Sequence, residues 1–414
     1  MAGDNDRRAL VIGGSMSGLF AALLLRQAGW DVEVFERSET ELTGRGAGIV
    51  THIELADALA AVGLDPASKL GVEVAGRKTL DRAGNVVGEH PCPQTVTSWD
   101  RVFRMLRKAL PAKRYHLGKE LIRVDERAGH VVAQFTDGAR EADLLVGADG
   151  FRSTVRAQFF PAARPRYAGY VAWRGLVAER ALSQRTLKDI FESMVFCLPP
   201  GEQMLGYPVA GPKDDMRIRH RRYNFVWYRP TAESHELTRL LTDRSGKAHA
   251  LSIPPPLIRK EFIRELKEAA ENLLAPQLAE VVSLAPQPFV QPIYDVETPN
   301  MASRRIALIG DAAFLARPHV GAGVTKAAQD ALALVAALGP EGNVEGALES
   351  FERARTGANR RIIERARELG AYLESKPKSA SQRREAERHR TPQAVMTEIA
   401  LLDFLRGRAE GNPC

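Results

Sequence analysis

The sequence A-L-V-I-G-G-S-M-S-G, from Ala9 to Gly18, decides the fold. Its first part, Ala9 to Ile12, is an apolar run typical of a buried strand, and a turn of glycine and serine residues follows. After the turn come a helical stretch, Leu19 to Gln27, and a second strand-like run, Asp31 to Glu36. This order of strand, turn, helix and strand predicts a βαβ unit, and therefore a Rossmann-like parallel sheet in an α/β fold.

The glycine turn is the first candidate binding site. At a helix N-terminus, unpaired amides and the helix dipole attract a pyrophosphate, and small residues let the backbone approach it closely. Gly13, Ser15, Met16, Ser17 and Gly18 are therefore candidate cofactor contacts, although Ser15 replaces the middle glycine of the G-x-G-x-x-G pattern. A turn of this kind, taken alone, serves a structural role about as often as it binds a cofactor.

Glu36 favours a cofactor site. It ends the second strand 18 residues after Gly18, where an acidic side chain accepts hydrogen bonds from ribose hydroxyls. A carboxylate suits a free 2′-hydroxyl and repels a 2′-phosphate, so we expect FAD or NAD here, with Arg37 as a neighbouring contact. The residues up to Arg37 do not choose between these two dinucleotides.

Two later stretches each deliver an acid from the end of an apolar strand. The first is D-L-L-V-G-A-D-G-F-R-S-T-V-R, Asp143 to Arg156, which carries Asp149, and the second is R-I-A-L-I-G-D-A-A, Arg305 to Ala313, which carries Asp311. Read alone, the first is a strand and a turn with Ser153 as a helix cap, and Asp311 reads equally well as a cap.

In this order the three motifs resemble those of the FAD-dependent aromatic hydroxylases, a family of flavoprotein monooxygenases. The resemblance extends from Leu10 to about Gly370. It implies that Asp149 bridges pyrophosphate and pyridine-nucleotide binding and that Asp311 binds the ribityl chain of FAD. It also implies that the turn Gly321-Ala322-Gly323-Val324 lies against the isoalloxazine ring.

Two further features belong to this resemblance. The stretch R-G-A-G-I, Arg45 to Ile49, resembles the flavin-edge segment of the family, which makes Arg45 and Gly48 candidate flavin contacts. The family commonly has a histidine three residues after the second aspartate, where this chain has Phe314. We therefore expect Arg317-Pro318-His319 to supply the local polar group.

The middle of the chain differs in character from its beginning. From Tyr167 to about Gln291 it is rich in aromatic and β-forming residues, which predicts a sheet-based second domain. We expect a discontinuous FAD-binding domain of residues 1–166 and 292–375, a substrate domain of residues 167–291 and a basic helical segment of residues 376–414. The fold class is thus α/β plus a β-rich second domain, with C-terminal helices.

The resemblance implies an enzyme in which NADH or NADPH reduces FAD, and O2 then gives a C4a-hydroperoxyflavin that hydroxylates an electron-rich aromatic ring. The stretch Tyr167 to Gly175 is among those most similar to the 2,6-dihydroxypyridine 3-hydroxylase branch, which implies a hydroxylated pyridine as substrate. A phenol, a quinone precursor or a natural-product ring is the alternative, and a nucleotide-binding protein without turnover is a further one.

Three residues are candidates for a catalytic role. Deprotonation of a ring hydroxyl raises the nucleophilicity of the ring, so a histidine or tyrosine near the pocket would act as a general base or orient the substrate. The candidates are His52 after the flavin-edge segment, Tyr207 on a predicted strand and His319 before the glycine turn. By residue type alone, each is more often an ordinary packed or surface residue.

Composition limits the other function classes. The net charge is +7, but six Lys/Arg against two Glu between Lys376 and Arg390 supply +4 of it, so we expect a solvated helix exterior and no nucleic-acid partner. The apolar run Leu19 to Leu25 falls short of the roughly 20 residues of a membrane span. Three widely spaced cysteines without a C-x-x-C pair predict reduced thiols and no metal site. We expect a cytoplasmic enzyme and, from the resemblance, a possible homodimer.

Overall fold

The structure is a computed structural model that describes residues 7–42, 48–64, 70–340 and 343–406. The strands of these residues are β1 Arg8–Ile12, β2 Asp31–Phe35, β3 Gly48–Val50, β4 Val72–Leu80, β5 Val86–Ser98, β6 Tyr115–His116, β7 Leu121–Arg127, β8 His130–Phe135, β9 Gly138–Ala142, β10 Leu144–Gly147, β11 Arg166–Ala178, β12 Ser193–Cys197, β13 Gln203–Val209, β14 Arg222–Pro230, β15 Phe289–Glu297, β16 Ala302–Ser303, β17 Ile306–Leu308 and β18 Phe314–Leu315. The helices are α1 Met16–Gln27, α2 Ile53–Ala61, α3 Trp99–Ala109, α4 Thr154–Phe159, α5 Gln184–Ile190, α6 Glu236–Leu240, α7 Lys260–Leu273, α8 Pro276–Leu284, α9 Gly323–Leu338, α10 Val344–Gly370, α11 Ala380–Glu387 and α12 Pro392–Glu398.

The first sheet has six strands in the order β16-β17-β10-β1-β2-β6. Strand β1 lies between β10 and β2 and is parallel to both, and β10 is parallel to β17. Helix α1 is buried along most of its length because it lies between this sheet and α9. The predicted βαβ unit and the Rossmann-like α/β class are therefore confirmed.

The register of this sheet aligns the ends of four strands. Ile12 pairs with both Phe35 and Gly147, and Gly147 pairs with Leu308. In a parallel sheet, the residues that follow such a row emerge at one edge, where open α/β sheets bind their ligands. We call this edge, formed by the segments that follow β1, β2, β10 and β17, the nucleotide edge.

The second sheet has nine strands in the order β18-β15-β11-β14-β13-β12-β4-β5-β3, and β7, β8 and β9 form a separate three-stranded sheet. Strand β14 lies between β11 and β13 and pairs antiparallel with both through long registers, which confirms the β-rich second part. The sheet also includes β3, β4 and β5, so it extends beyond the range 167–291 expected for the substrate domain. The domain boundaries themselves stay a prediction.

The C-terminal part is helical, as expected, and α11 exposes most of its residues to solvent. The residues after it are different, because Val395, Met396 and Ile399 are buried against the second sheet.

Cys92 is disulfide-bonded, so the expectation of reduced cysteines is wrong for this residue. Spacing along the chain does not show which side chains meet in the fold. Within the described residues, no helix combines the length and the apolar character of a membrane span.

Candidate active site

The three motifs are in direct contact at the nucleotide edge. Gly13 has a φ of +105°, and a β-carbon placed on it would lie 2.3 Å from the carbonyl oxygen of Ala148. Gly310 has a φ of +60°, and a β-carbon there would lie 2.2 Å from Ser17 Oγ. Because no side chain fits in either place, the first turn packs on both later motifs only when these positions are glycine.

A cavity of about 340 Å³ opens beside these contacts. It is lined by residues of the first two motifs and of the second strand, among them Gly13, Ser15, Glu36, Arg37, Asp149 and Thr154. The Glu36 carboxylate accepts hydrogen bonds from the amides of Gly14 and Ser38, both at 2.9 Å. Each carboxylate oxygen can accept a further bond, so the geometry leaves Glu36 able to take a ribose hydroxyl.

Asp149 follows β10 and caps helix α4. Its Oδ2 accepts hydrogen bonds from the amides of Thr154 at 2.7 Å and Val155 at 3.3 Å, whereas Oδ1 is buried and has no hydrogen-bond partner among the described residues. Burial raises the pKa of the Asp149 carboxyl group. Ser153 caps the same helix by accepting a bond from the Arg156 amide at 2.9 Å, as predicted.

Asp311 lies in the turn after β17 and is electrostatically coupled to Arg156 and Lys326. Burial raises the pKa of its carboxyl group, while these two cations lower it. The Arg156 guanidinium donates to the carbonyl of Ala312 at 2.9 Å and interacts with the charge of Asp149 as well. Arg156 therefore connects the second and third motifs.

Sequence reasoning missed a buried polar network beneath Asp311. Asp330 on α9 is fully buried; it pairs with Lys326 at 3.5 Å, and it accepts hydrogen bonds from the Gly310 amide at 3.0 Å and from Arg355 Nε at 2.8 Å. The network holds the turn that carries Asp311. The signal was a lysine and an aspartate four residues apart in an alanine-rich helix, a spacing that places both on one face.

The turn predicted to face the flavin ring precedes α9. Gly321 is left-handed, with a φ of +63°, and ends the short turn Pro318–Val320, while Gly323 is the first residue of α9. Ala322 is buried, and Val324 is partly buried against the first core. The unpaired amides of a helix N-terminus are therefore beside this turn, as a flavin ring oxygen or nitrogen would require.

The flavin-edge segment lies only partly in the described structure. Arg45 is outside the described residues, so its predicted contact stays a prediction. Gly48 begins β3, and its amide donates to Asn224 Oδ1 at 3.1 Å. The ring of Tyr207 lies directly beside Gly48, because a β-carbon there would be 2.5 Å from Tyr207 Cε2. The candidate Tyr207 is thus adjacent to the segment, and burial raises the pKa of its hydroxyl above the ordinary range.

His52 is the residue before helix α2. Its Nε2 is 3.2 Å from the carbonyl oxygen of Ala400, and its Nδ1 is 3.2 Å from Thr325 Oγ1. Since a carbonyl only accepts, Nε2 carries the proton and Nδ1 accepts from the threonine hydroxyl. Burial lowers the pKa of His52, which keeps this neutral form.

His319 is fully buried next to Tyr170, whose hydroxyl is 2.7 Å from His319 Nε2. Its Nδ1 has no hydrogen-bond partner within the described part of the chain. Burial, with a smaller effect of the neighbouring Arg317, lowers the pKa of His319 to about 3. His319 is therefore neutral at physiological pH.

Phe314, which stands where the family commonly has a histidine, has a structural role. Phe314 is fully buried in the first core and pairs with Glu297 across β15 and β18. Arg317, three residues later, forms ion pairs with Asp295 at 3.0 Å and with Glu374 at 2.8 Å. Of the segment Arg317-Pro318-His319, only His319 keeps an unpaired polar atom among the described residues.

The positions and hydrogen-bonding capacity of these residues fit FAD. The row of strand ends brings Gly13, Glu36, Asp149 and Asp311 to one edge, and Asp149 Oδ1 is a buried acceptor that lacks a donor. A buried polar atom without a partner is costly, so a bound group with hydroxyl donors accounts for it. An extended dinucleotide supplies such hydroxyls in its ribose and ribityl parts.

The fold and this edge form a dinucleotide site suited to FAD, and comparisons with known proteins show the family. A family model described as FAD binding domain-like matches residues 167–295. The chain is 32% identical over 376 residues to the 2,6-dihydroxypyridine 3-monooxygenase of Paenarthrobacter nicotinovorans, covering 90% of this chain and 93% of that one. It is 31% identical over 384 residues to the 3-amino-4-hydroxybenzoate 2-monooxygenase of Streptomyces cremeus, covering 88% and 87%.

A solved structure agrees with these relatives. The 2,6-dihydroxypyridine-3-hydroxylase from Arthrobacter nicotinovorans superposes with a TM-score of 0.84 at 31% identity, over 91% of this chain and 96% of that chain. The chain therefore belongs to the FAD-dependent aromatic hydroxylases, and it is an aromatic-ring monooxygenase that uses FAD. NADH or NADPH as the reductant is typical of this family.

Proposed function

We propose that this monooxygenase hydroxylates a small, electron-rich ring that carries oxygen substituents, with 2,6-dihydroxypyridine as the first substrate to test. The observation that carries the proposal is a pair of buried N–H donors without partners among the described residues, Arg174 Nε and Asn224 Nδ2. Both belong to the face of the second sheet that contains Tyr207 and Tyr228. We call these four residues, Arg174, Tyr207, Asn224 and Tyr228, the substrate wall.

The register of the sheet puts the substrate wall on one face. Arg174 pairs with Val226 across β11 and β14, and Tyr207 pairs with Asn224 across β13 and β14. Directly paired residues point to the same side of a sheet, and Asn224, Val226 and Tyr228 alternate along β14. The donors therefore share one face of the sheet, and this face contributes Tyr207, Val226 and Tyr228 to a buried cluster with Val50 and Val320.

An unpaired buried donor is unfavourable unless a ligand accepts from it. Ring hydroxyl, carbonyl and oxyanion groups are such acceptors, and the Arg174 cation additionally favours an oxyanion, which makes the ring more nucleophilic. Burial raises the pKa of Tyr228 to about 12, so its hydroxyl stays protonated and can donate as well. This face thus suits a ring with more than one oxygen.

The three candidate catalytic residues are proposed to orient and enclose the substrate. Tyr207 keeps its proton at neutral pH, both nitrogens of His52 are engaged, and His319 is too weak a base to take a proton near pH 7. FAD supplies the oxygen chemistry when it is bound. The protein holds the ring and excludes water, which would otherwise divert the reaction to H2O2.

The test uses the FAD-loaded protein. We would measure NADH and NADPH oxidation, hydroxylated product and H2O2 with 2,6-dihydroxypyridine, with 3-amino-4-hydroxybenzoate and with unsubstituted pyridine as control. We expect product without peroxide from 2,6-dihydroxypyridine only. Product from the benzoate alone would rule out the hydroxylated pyridine as the substrate, and peroxide from every compound would contradict the proposal.

A variant pair tests the substrate wall itself. Arg174→Met should raise KM for the hydroxylated ring about tenfold or more, because a charge-assisted hydrogen bond is lost, and should leave FAD affinity unchanged. Arg166→Met, in an exposed position on the same strand, is the matched control. Equal KM values for the two variants would remove Arg174 from substrate binding. The cytoplasmic location and the homodimer stay predictions.

A further inference from the structure

The C-terminal segment, residues 391–406, lies against the candidate active site. Val395, Met396, Ile399 and Leu402 are each at most 4% exposed. They pack in one cluster with residues of the second sheet and of the predicted flavin turn, including Tyr207, Val320 and Ala322. An apolar segment of this kind forms part of the enclosure of the site.

Arg77 on β4 anchors this segment. Its Nη1 donates to the carbonyl oxygens of Met396 at 2.9 Å and Ile399 at 2.7 Å, and its Nη2 donates to Gln94 Oε1 at 2.6 Å. The two carbonyls lie at the C-terminal end of α12, where carbonyl groups lack helical partners and carry partial negative charge. The Arg77 side chain is 1% exposed, and burial lowers its pKa to about 10, so it remains a cation at neutral pH.

A buried cation is unfavourable unless its donors are satisfied in a good geometry. Among the described residues, no carboxylate forms an ion pair with Arg77, and its Nε has no hydrogen-bond partner. The carbonyl oxygens of the C-terminal segment and Gln94 Oε1 therefore supply the acceptors that stabilise the cation. The position of the segment and the burial of Arg77 therefore depend on each other.

Ala400 connects the C-terminal segment to two residues of the candidate active site. Its amide donates to the carbonyl of His319 at 2.7 Å, and its carbonyl accepts from His52 Nε2 at 3.2 Å. Its φ of +56° is rare for a residue with a β-carbon, so the surrounding contacts hold it there. A β-carbon on Gly321 would lie 2.9 Å from that of Ala400, which places the segment directly on the turn.

We propose that the C-terminal segment forms a wall of the catalytic site, and that Arg77 is a positioning residue that holds this wall against His52 and the turn of Gly321. The inference rests on the proposed position of the flavin ring at that turn. The segment fixes His52 through Ala400, since the Thr325 hydroxyl holds only the other nitrogen of the ring. It also keeps water from the face of the site where Ala400 bonds to both candidate histidines.

The test compares Arg77→Met, which removes the cation, with Arg77→Lys, which keeps it and can still donate to both carbonyls. Arg383→Met, on the exposed helix α11, is the control. For each purified protein we would measure the FAD dissociation constant, the fraction of NAD(P)H oxidation that yields H2O2, and hydrogen exchange in peptides covering 391–406 and 319–325.

We expect Arg77→Met to raise the peroxide fraction at least threefold and to speed hydrogen exchange in both peptides. Arg77→Lys should reverse at least half of this rise in the peroxide fraction, and Arg383→Met should match the wild type. Rescue by lysine distinguishes positioning from a general loss of packing. Faster hydrogen exchange in residues 391–406, with an unchanged peroxide fraction and unchanged FAD affinity, would overturn the proposal.

If Arg77→Met fails to fold, Ala400→Val displaces the segment in another way, because a β-branched residue is strained at a φ of +56°. It should give the same rise in the peroxide fraction, and an unchanged peroxide fraction would again overturn the proposal. A wild-type protein that takes up no FAD would contradict the proposed function and this inference together. A wild type that hydroxylates its ring while the Arg77 variants match it would contradict only the inference.

Discussion

The nucleotide edge and the substrate wall are built in different ways. At the nucleotide edge the backbone decides the contacts, because Gly13 and Gly310 must approach Ala148 and Ser17 more closely than any side chain allows. At the substrate wall, side chains from separate strands meet across a sheet. On another strand of the same sheet, the buried Arg77 holds a segment more than 300 residues further along the chain. The first region tolerates little change in backbone shape, and the second can change its side chains while the strands stay in place.

The largest expected effect is at Gly13. Gly13→Ala forces a β-carbon into the Ala148 carbonyl at an unfavourable φ, and we expect it to lower the free energy of unfolding by at least about 3 kcal/mol. FAD should also be lost on gel filtration. Gly29→Ala is the matched control, since Gly29 has a φ of +84° but nothing within 4 Å of the added atom. A Gly13 variant as stable in urea as the Gly29 variant would contradict the claim that the nucleotide edge tolerates little change in backbone shape.

The next effect concerns the substrate side and depends on pH. The pKa of His319 is lowered by burial to about 3, whereas it is near 6.5 in the unfolded chain. Between these values the unfolded state binds a proton that the folded state does not, so stability decreases as pH falls. The contribution is at most about 1.4 kcal/mol per pH unit.

The check is guanidinium unfolding of the wild type and His319→Gln between pH 7 and pH 4. The wild type should lose stability relative to the variant below about pH 6.5. Parallel curves would mean that the pKa of His319 is the same in the folded and the unfolded protein, near 6.5. This would return it to consideration as a catalytic acid or base.

Asp311 gives an effect of intermediate size at the nucleotide edge. Asp311→Ala should weaken FAD binding about 10- to 100-fold, the magnitude of a lost charge-assisted hydrogen bond. Asp137→Ala, in the exposed turn between β8 and β9, is the control. Flavin fluorescence titration measures both variants. An Asp311→Ala protein that stays as yellow as the control would place the flavin ribityl chain elsewhere.

The sequence could predict the nucleotide edge because its information is local. A strand, a glycine and an acid occupy consecutive residues twice, at Asp149 and Asp311, and in the first motif the acid, Glu36, ends the strand that follows the glycine turn and its helix. Parallel strands bring their ends to one edge without further detail. Asp149 and Asp311 were therefore identified together with the elements that carry them.

The sequence could not predict the substrate wall or the wall formed by the C-terminal segment. Arg77 is one of 58 Lys and Arg residues, and nothing near it in the sequence marks it as buried. Its partners at Met396 and Ile399 are backbone carbonyls, which any residue possesses. For the same reason, Lys326 and Asp330 read as an ordinary helical pair until the fold places them under Gly310.

The smallest expected effect tests whether local capping at the nucleotide edge matters for binding. Ser153 and Ser379 are both helix N-caps that accept a bond from the amide three residues later, at 2.9 Å and 3.2 Å. Replacing either by alanine should cost about 1 kcal/mol of helix stability. Only Ser153 caps the helix whose amides also hold Asp149.

Ser153→Ala should therefore weaken FAD binding a few-fold, whereas Ser379→Ala should leave it unchanged. Fluorescence titration with FAD, together with thermal melts in its presence and absence, separates the two effects. If both variants bind FAD equally well, the Asp149 carboxylate is held by the strand end alone, and the contribution of α4 to the nucleotide edge is only structural.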